Sequence, residues 1–392
     1  MKQISVYVHF PWCLRKCPYC DFATLPTEAA DIPHGAYADA VLRELEDRVG
    51  AAGDAELVSV FFGGGTPSLW QPSQLGRVLA AVQSAFGRSS QEIEVTVECN
   101  PSSLDEPRAA ALREAGVDRL SVGVQSLRDG HLQFLGRLHD GEGALRALRA
   151  ATAAHGRVSA DLMFGMPGQA AEALSEDVQA LLGLGLAHIS AYALTIEAAT
   201  PFGALARVGK LPLVQEGAFA EMFGMLDQWL PAAGLAHYEV SNYAREGQES
   251  RHNQHYWRSG AYLGLGAAAV GRLDNHADEA VGDGRVPSAR RYRNQPDPLR
   301  YMERSGSARR EVFHEVLGTQ QLVQEAMMLG LRTLEGVDLT ALGERIGDDP
   351  LADRGSEVAR LQAGGQLQMT EGRMRVPPEH WLWLDGIVAR LF

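Results

Sequence analysis

The chain has 392 residues, 45% of them apolar and 22% charged, enough to bury a large core as one main domain with a smaller one beside it. A formal net charge of −13 excludes a general nucleic-acid binder, which needs a basic face to neutralise phosphates. No apolar run approaches the roughly 20 residues that cross a bilayer, and the first residues lack a signal peptide's apolar stretch and cleavage site, so a cytoplasmic protein is expected. In chain order, β-rich runs at 4–9, 57–62, 93–98, 119–124, 158–164 and 188–194 alternate with helix-periodic stretches at 37–49, 74–86, 106–115, 142–155, 171–184 and 216–230. Six βα units in succession predict an α/β fold with a parallel sheet covered by helices, either open and doubly wound or curled into a partial barrel. Beyond residue 235 the pattern turns irregular, with a further strand expected at 237–242 and a glycine-rich run at 260–271. From 317 onward, helices at 320–334, 339–346 and 357–363 and a hairpin at 367–376 predict a small α+β appendage of winged-helix type. The expected divisions are therefore 1–235, 236–311 and 312–392. No internal repeat or low-complexity segment interrupts them.

The chemistry-bearing residues fall at the ends of the expected strands, the edge where α/β barrels gather their sites. Only four cysteines occur, and Cys13, Cys17 and Cys20 lie within eight residues of each other. This crowding predicts a metal or cluster site rather than a disulfide framework. A CxxxCxxC loop suits three corners of an iron–sulfur cubane, which normally takes four thiolates, so one iron would stay open to another ligand. Structural zinc, with His9 or Cys99 as a fourth ligand, is the competing reading. Cys99 otherwise reads as a buried free thiol. Gly63-Gly64-Gly65-Thr66-Pro67 follows the second strand, where glycines admit close backbone approach and consecutive amides suit a charged group. Glu98, Gln125 and Asp161 add polar groups at later strand ends, and Arg137 adds another. Residues 285–310 carry eight arginines (Arg285, Arg290, Arg291, Arg293, Arg300, Arg304, Arg309 and Arg310) against Asp297 and Glu303. A solvated linker and an anion- or partner-binding surface fit this stretch equally.

These words resemble the radical S-adenosylmethionine superfamily, and the sequence is most similar to the oxygen-independent coproporphyrinogen III oxidases and the related HemW-type haem chaperones. The matching segments are VYVHFPWCLRKCPYCDF, FFGGGTPSLW, VECNP, RLSVGVQSL, LGRLH, DLMFGMPGQ and HISAYALTIE. The resemblance implies a partial, six-unit βα barrel of the radical S-adenosylmethionine type. It implies a [4Fe–4S] cluster on Cys13, Cys17 and Cys20. S-adenosylmethionine would chelate the open iron, and its sulfonium would be split to methionine and a 5′-deoxyadenosyl radical. It further implies that Tyr7, Tyr19, Phe22, Gly64, Gly65, Thr66, Glu98, Gln125, Arg137, Asp161 and Ala193 surround that cofactor.

Within the family, the chaperone branch is the expected one. The cluster loop begins at residue 13, without the N-terminal extension that encloses substrate in the oxidases. Phe22 stands where those oxidases carry a further cysteine. His252-Asn253-Gln254-His255-Tyr256-Trp257 matches the chaperones' HNxxYW word, which makes His252 the expected haem ligand and His255 the second choice. Two departures run the other way: no histidine stands near Val270, and position 250 is serine where relatives often carry cysteine. The implied partners are haem or a porphyrinogen, acceptor haemoproteins and a reductant protein. The arginine stretch fits a partner protein or anionic lipid headgroups equally, which leaves peripheral membrane contact open, as a homodimer is. The alternatives are oxidative decarboxylation of coproporphyrinogen III and a metal-binding role without radical chemistry.

Overall fold

The computed structural model describes residues 2–87, 89, 91–274 and 288–392. Six strands carry the first half: β1 (Gln3–Phe10), β2 (Glu56–Gly64), β3 (Glu94–Cys99), β4 (Arg119–Gln125), β5 (Arg157–Phe164) and β6 (His188–Ala193). They lie side by side in chain order and all run parallel, as strands joined by helical crossovers do. One face of each strand packs on helices such as His34–Arg48, Pro72–Phe86 and Gly141–Ala154 through Val6, Val8, Val60, Val97, Leu120, Val122 and Ala160. The opposite face is unusually polar: Ser5, Ser59, Thr96, Ser121, Ser159 and Ser190 are all buried there.

The sheet continues past these units at both sides. On one side lies the hairpin β7 (Ala236–Glu239) and β8 (Asn242–Ala244), where a single strand over 237–242 is expected from the sequence; the chain turns at Ser241 instead. On the other side β9 (Ala261–Leu265) pairs parallel with β1, and β10 (Val270–Asp274), β11 (Ala289–Asn294) and β12 (Glu311–Leu317) follow antiparallel. The twelve-stranded order is β12-β11-β10-β9-β1-β2-β3-β4-β5-β6-β8-β7, with no ladder joining its ends among the described residues, so the six parallel units form an open-sided barrel.

The glycine-rich run thus becomes two strands with a sharp turn. Gly264 is required there, because a Cβ would meet the Val270 carbonyl oxygen at 2.0 Å. The arginine-rich stretch is not a solvated linker. Arg291 pairs with Glu315 and Glu325, Arg290 with Glu311, and Arg310 with Asp47 and the buried Glu44. Arg285 falls outside the described residues. A second core, built from Leu322, Met327, Leu361, Met374, Trp381 and Ile387, holds the C-terminal helices and the hairpin Gln368–Thr370/Arg373–Arg375 together. No described helix is long and apolar enough to cross a membrane.

Candidate functional site

A cavity of about 920 Å³ opens into the polar face of the barrel, at the upper end of what a small-molecule site occupies. Cys13, Cys17 and Cys20 line one part of it, together with Tyr7, Tyr19, Phe22, Gly64, Gly65, Thr66, Glu98, Gln125, Arg137 and Asp161. Ala193 does not line it; its neighbour Tyr192 does. His252 lines the same cavity, with Asn253, His255, Tyr256 and Tyr262.

The cysteine loop leaves β1 and is stitched to the glycine loop by backbone bonds. Gly65 N–H donates to the Phe10 carbonyl at 2.7 Å and Thr66 N–H to that of Trp12 at 2.8 Å. A Cβ on Gly65 would meet the Trp12 carbonyl oxygen at 2.6 Å, and one on Gly64 the His9 ring at 2.5 Å. Since Gly64 N–H donates to Glu98 at 3.0 Å, these three amides are engaged within the protein rather than free to cradle an anion. The glycines serve close approach instead.

The thiols have donors around them. Thr66 Oγ1 donates to Cys13 Sγ at 3.4 Å and Arg137 Nη1 to Cys17 Sγ at 3.8 Å, while Arg137 Nη2 is tied to the Gly123 carbonyl at 2.7 Å. Burial pushes the Cys13 and Cys20 thiols up, so the anionic form is favoured only with a compensating cation. No three His, Cys, Asp or Glu side chains among the described residues stand close enough to share one metal ion. The two candidate fourth zinc ligands are engaged elsewhere, the His9 ring between the Tyr7 hydroxyl and the Ala23 carbonyl and the Cys99 thiol on the Val97 carbonyl, so neither completes a four-ligand set. The donor set therefore fits an iron–sulfur cluster better than structural zinc. Cys99 is a buried free thiol whose Sγ donates to the Val97 carbonyl at 3.6 Å.

Deeper in, burial drives the Glu98 carboxyl up to about 7, the hydrogen bond from Gly64 opposing the rise and Asp161 adding to it. Asp161 sits mid-strand rather than at its end, and accepts hydrogen bonds from Ser121 at 3.0 Å and Ser159 at 3.4 Å. Burial raises it too. Two buried carboxyls with their pKa values raised, and Arg119 acting on both, suit a ligand that brings further positive charge. Arg137 Nε is sealed without a partner, and Gln125 adopts φ 67° to turn its side chain at the strand end.

His252 belongs to the helix Arg251–Trp257, whose first turn is seated on Glu94: the amides of Arg251 and His252 donate to its carboxylate, each at 3.1 Å. Against the upward push of burial, Arg119, Arg157 and these amides hold Glu94 below the usual carboxylate range. The His252 ring stacks on Phe61 (centroids 4.8 Å, 29° between planes), and its Nδ1 lies 2.9 Å from Ser59 Oγ. Burial pushes His252 down to about 3, so the imidazole is neutral. Its Nε2 has no hydrogen-bond partner among the described residues and is not sealed from the cavity. His255 is different: its Nε2 lies 2.8 Å from the Ala261 carbonyl, and Gly260 makes room for its ring, since a Cβ there would come within 2.3 Å.

Several cavity residues are given no role from the sequence, among them Ser5, Phe61, Arg119, Ser121, Ser190 and Tyr192. Strand alternation carries the signal for most: Ser5, Tyr7 and His9 share one face of β1, as do Arg119, Ser121, Gly123 and Gln125 on β4.

The family model of the radical SAM superfamily matches residues 7–181, and that of the HemN C-terminal domain matches 318–383. The chain is 34% identical to radical S-adenosyl methionine domain-containing protein 1, mitochondrial, of Danio rerio, over 99% of this chain and 87% of that protein. It is also 34% identical to the heme chaperone HemW of Mycobacterium tuberculosis, over 100% of this chain and 95% of the relative. The solved structure of the radical SAM enzyme coproporphyrinogen III oxidase (HemN) of Escherichia coli superposes with a TM-score of 0.78 at 20% identity, covering 100% of this chain and 90% of that one, a likeness of fold.

Proposed function

The chain belongs to the radical S-adenosylmethionine superfamily, among the coproporphyrinogen III oxidases and their HemW-type relatives, and on that premise we propose that it is a haem chaperone. Haem is taken up on His252 Nε2 and handed to acceptor haemoproteins. The observation that carries this reading is the neutral His252 imidazole, whose open nitrogen faces a cavity with an aromatic wall of Phe61, Tyr256 and Tyr262. An unpaired imidazole nitrogen is an axial ligand, and flat aromatic rings suit a porphyrin face.

Cys13, Cys17 and Cys20 would hold a [4Fe–4S] cluster, with Thr66 and Arg137 donating to the sulfurs. Tyr7, Tyr19, Gly64, Gly65, Thr66, Glu98, Gln125, Arg137 and Asp161 would surround S-adenosylmethionine, with Phe22 at the rim. When bound, that pair supplies one-electron cleavage of a sulfonium, driven by a reductant protein. The chain's own residues bind and orient: Glu98 and Asp161 receive positive charge and hydroxyls, Arg137 fixes the end of β4 against the cysteine loop, and the Glu94-seated helix presents His252. In the chaperone, the cofactor end governs haem occupancy rather than decarboxylating a substrate.

The test is anaerobic incubation of the cluster-loaded protein with coproporphyrinogen III, S-adenosylmethionine and reductant, beside a haem titration. A saturable Soret change without protoporphyrinogen is expected. Accumulation of protoporphyrinogen would overturn the chaperone reading in favour of the oxidase.

A further inference from the structure

A histidine offers a metal only one nitrogen at a time, and which one is free depends on the hydrogen bond made by the other. His252 Nδ1 meets Ser59 Oγ at 2.9 Å. A serine hydroxyl has a single proton, and Ser59 directs its own to Ser5 Oγ at 2.8 Å. With that proton committed, Ser59 can only accept from the imidazole. His252 must therefore carry its proton on Nδ1, leaving the lone pair on Nε2, the nitrogen open to the cavity.

We propose that Ser5 and Ser59 are positioning residues that set the tautomer of His252, so that its Nε2 is held ready for a metal in the cavity; this rests on the haem-ligand reading above. The surroundings keep the arrangement from being averaged away. Ser59 is 0% and Ser5 1% exposed, so bulk water does not compete for either hydroxyl. The two serines sit on adjacent strands, β1 and β2, paired directly across the ladder. Phe61 stacks on the face of the ring, and the backbone amide of His252 is tied to Glu94, which holds the ring beside Ser59. The pair thus does for His252 what a carboxylate or carbonyl partner does for a metal-bound histidine elsewhere.

The experiment uses full-length protein with 15N-labelled histidine. In the haem-free protein, the His252 ring shifts should report a protonated Nδ1 and a bare Nε2. Ser5→Ala removes only the acceptor of the Ser59 proton and does not touch the ring. It should let Ser59 donate to Nδ1 and move the ring toward the opposite tautomer. In haem titrations, Ser5→Ala and Ser59→Ala should each weaken affinity about tenfold and alter the ferric spectrum, and the double variant should lose no more than the worse single one. A protonated Nε2 in the wild type, or shifts unmoved by Ser5→Ala, would overturn the proposal whatever haem does. The expected tautomer together with an unchanged haem titration in His252→Ala would leave the serine pair standing and remove the haem-ligand reading.

Discussion

Glu98 shows how a residue legible from its motif acquires its chemistry from burial. Its carboxyl, ordinarily near 4.5, stands at about 7, so between those values the folded protein keeps a proton that the unfolded chain has lost. Stability from this group therefore falls as pH rises from about 4.5 to 7 and changes no further above that. A cationic ligand prefers the ionised form, so affinity for S-adenosylmethionine should rise about tenfold from pH 6 to pH 8. Isothermal titration at the two pH values checks this, and Glu98→Gln should flatten the dependence; the same slope in that variant would assign it to another group. Motif words alone carry Glu98, Gln125, Arg137 and Asp161 to the cavity. They miss Ser5 and Ser59, because serines alternating along a strand look like ordinary strand residues until the histidine they serve arrives from residue 252.

The element that decides the site is the helix Arg251–Trp257, which reads as a loop from composition, being short and flanked by turns. Its start is fixed by Ser250, whose side chain caps Asn253 N–H, and by Glu94, which lies 157 positions earlier in the chain than Arg251. That pairing is invisible to local pattern. Glu94 is fully buried and bonded to Arg157 at 2.8 Å. Glu94→Ala would leave Arg157 unpaired and the helix start unseated, a loss of about 3–5 kcal/mol on the scale of a broken buried pair. Chemical denaturation measures it, and an unchanged midpoint would show that the helix is held by packing alone. The strands β11 and β12 were hidden for a different reason. In β11, Ala289, Tyr292 and Asn294 are buried on alternate faces, and Arg290, Arg291 and Arg293 stand between them, so charge masks an ordinary strand.

At the scale of the whole molecule, six parallel units and a separately cored C-terminal domain follow from periodicity, whereas the strands that widen the sheet and the depth of its polar lumen do not. That lumen brings the cysteine loop and His252 to one cavity of about 920 Å³, which is near the limit for one small-molecule ligand. Cofactor and haem should therefore oppose each other. Saturating S-adenosylmethionine should weaken haem binding at least about fivefold, and haem should weaken the cofactor by the same factor. Independent affinities would place the two ligands in separate spaces. The most direct test of the account is a haem titration of the cluster-loaded chain beside its His252→Ala variant. The wild type should give a saturating Soret shift, and the variant should bind at least about tenfold more weakly with its axial-ligand signature gone. An identical titration and spectrum in the two proteins would contradict the assignment of this chain as a haem carrier ligated by His252.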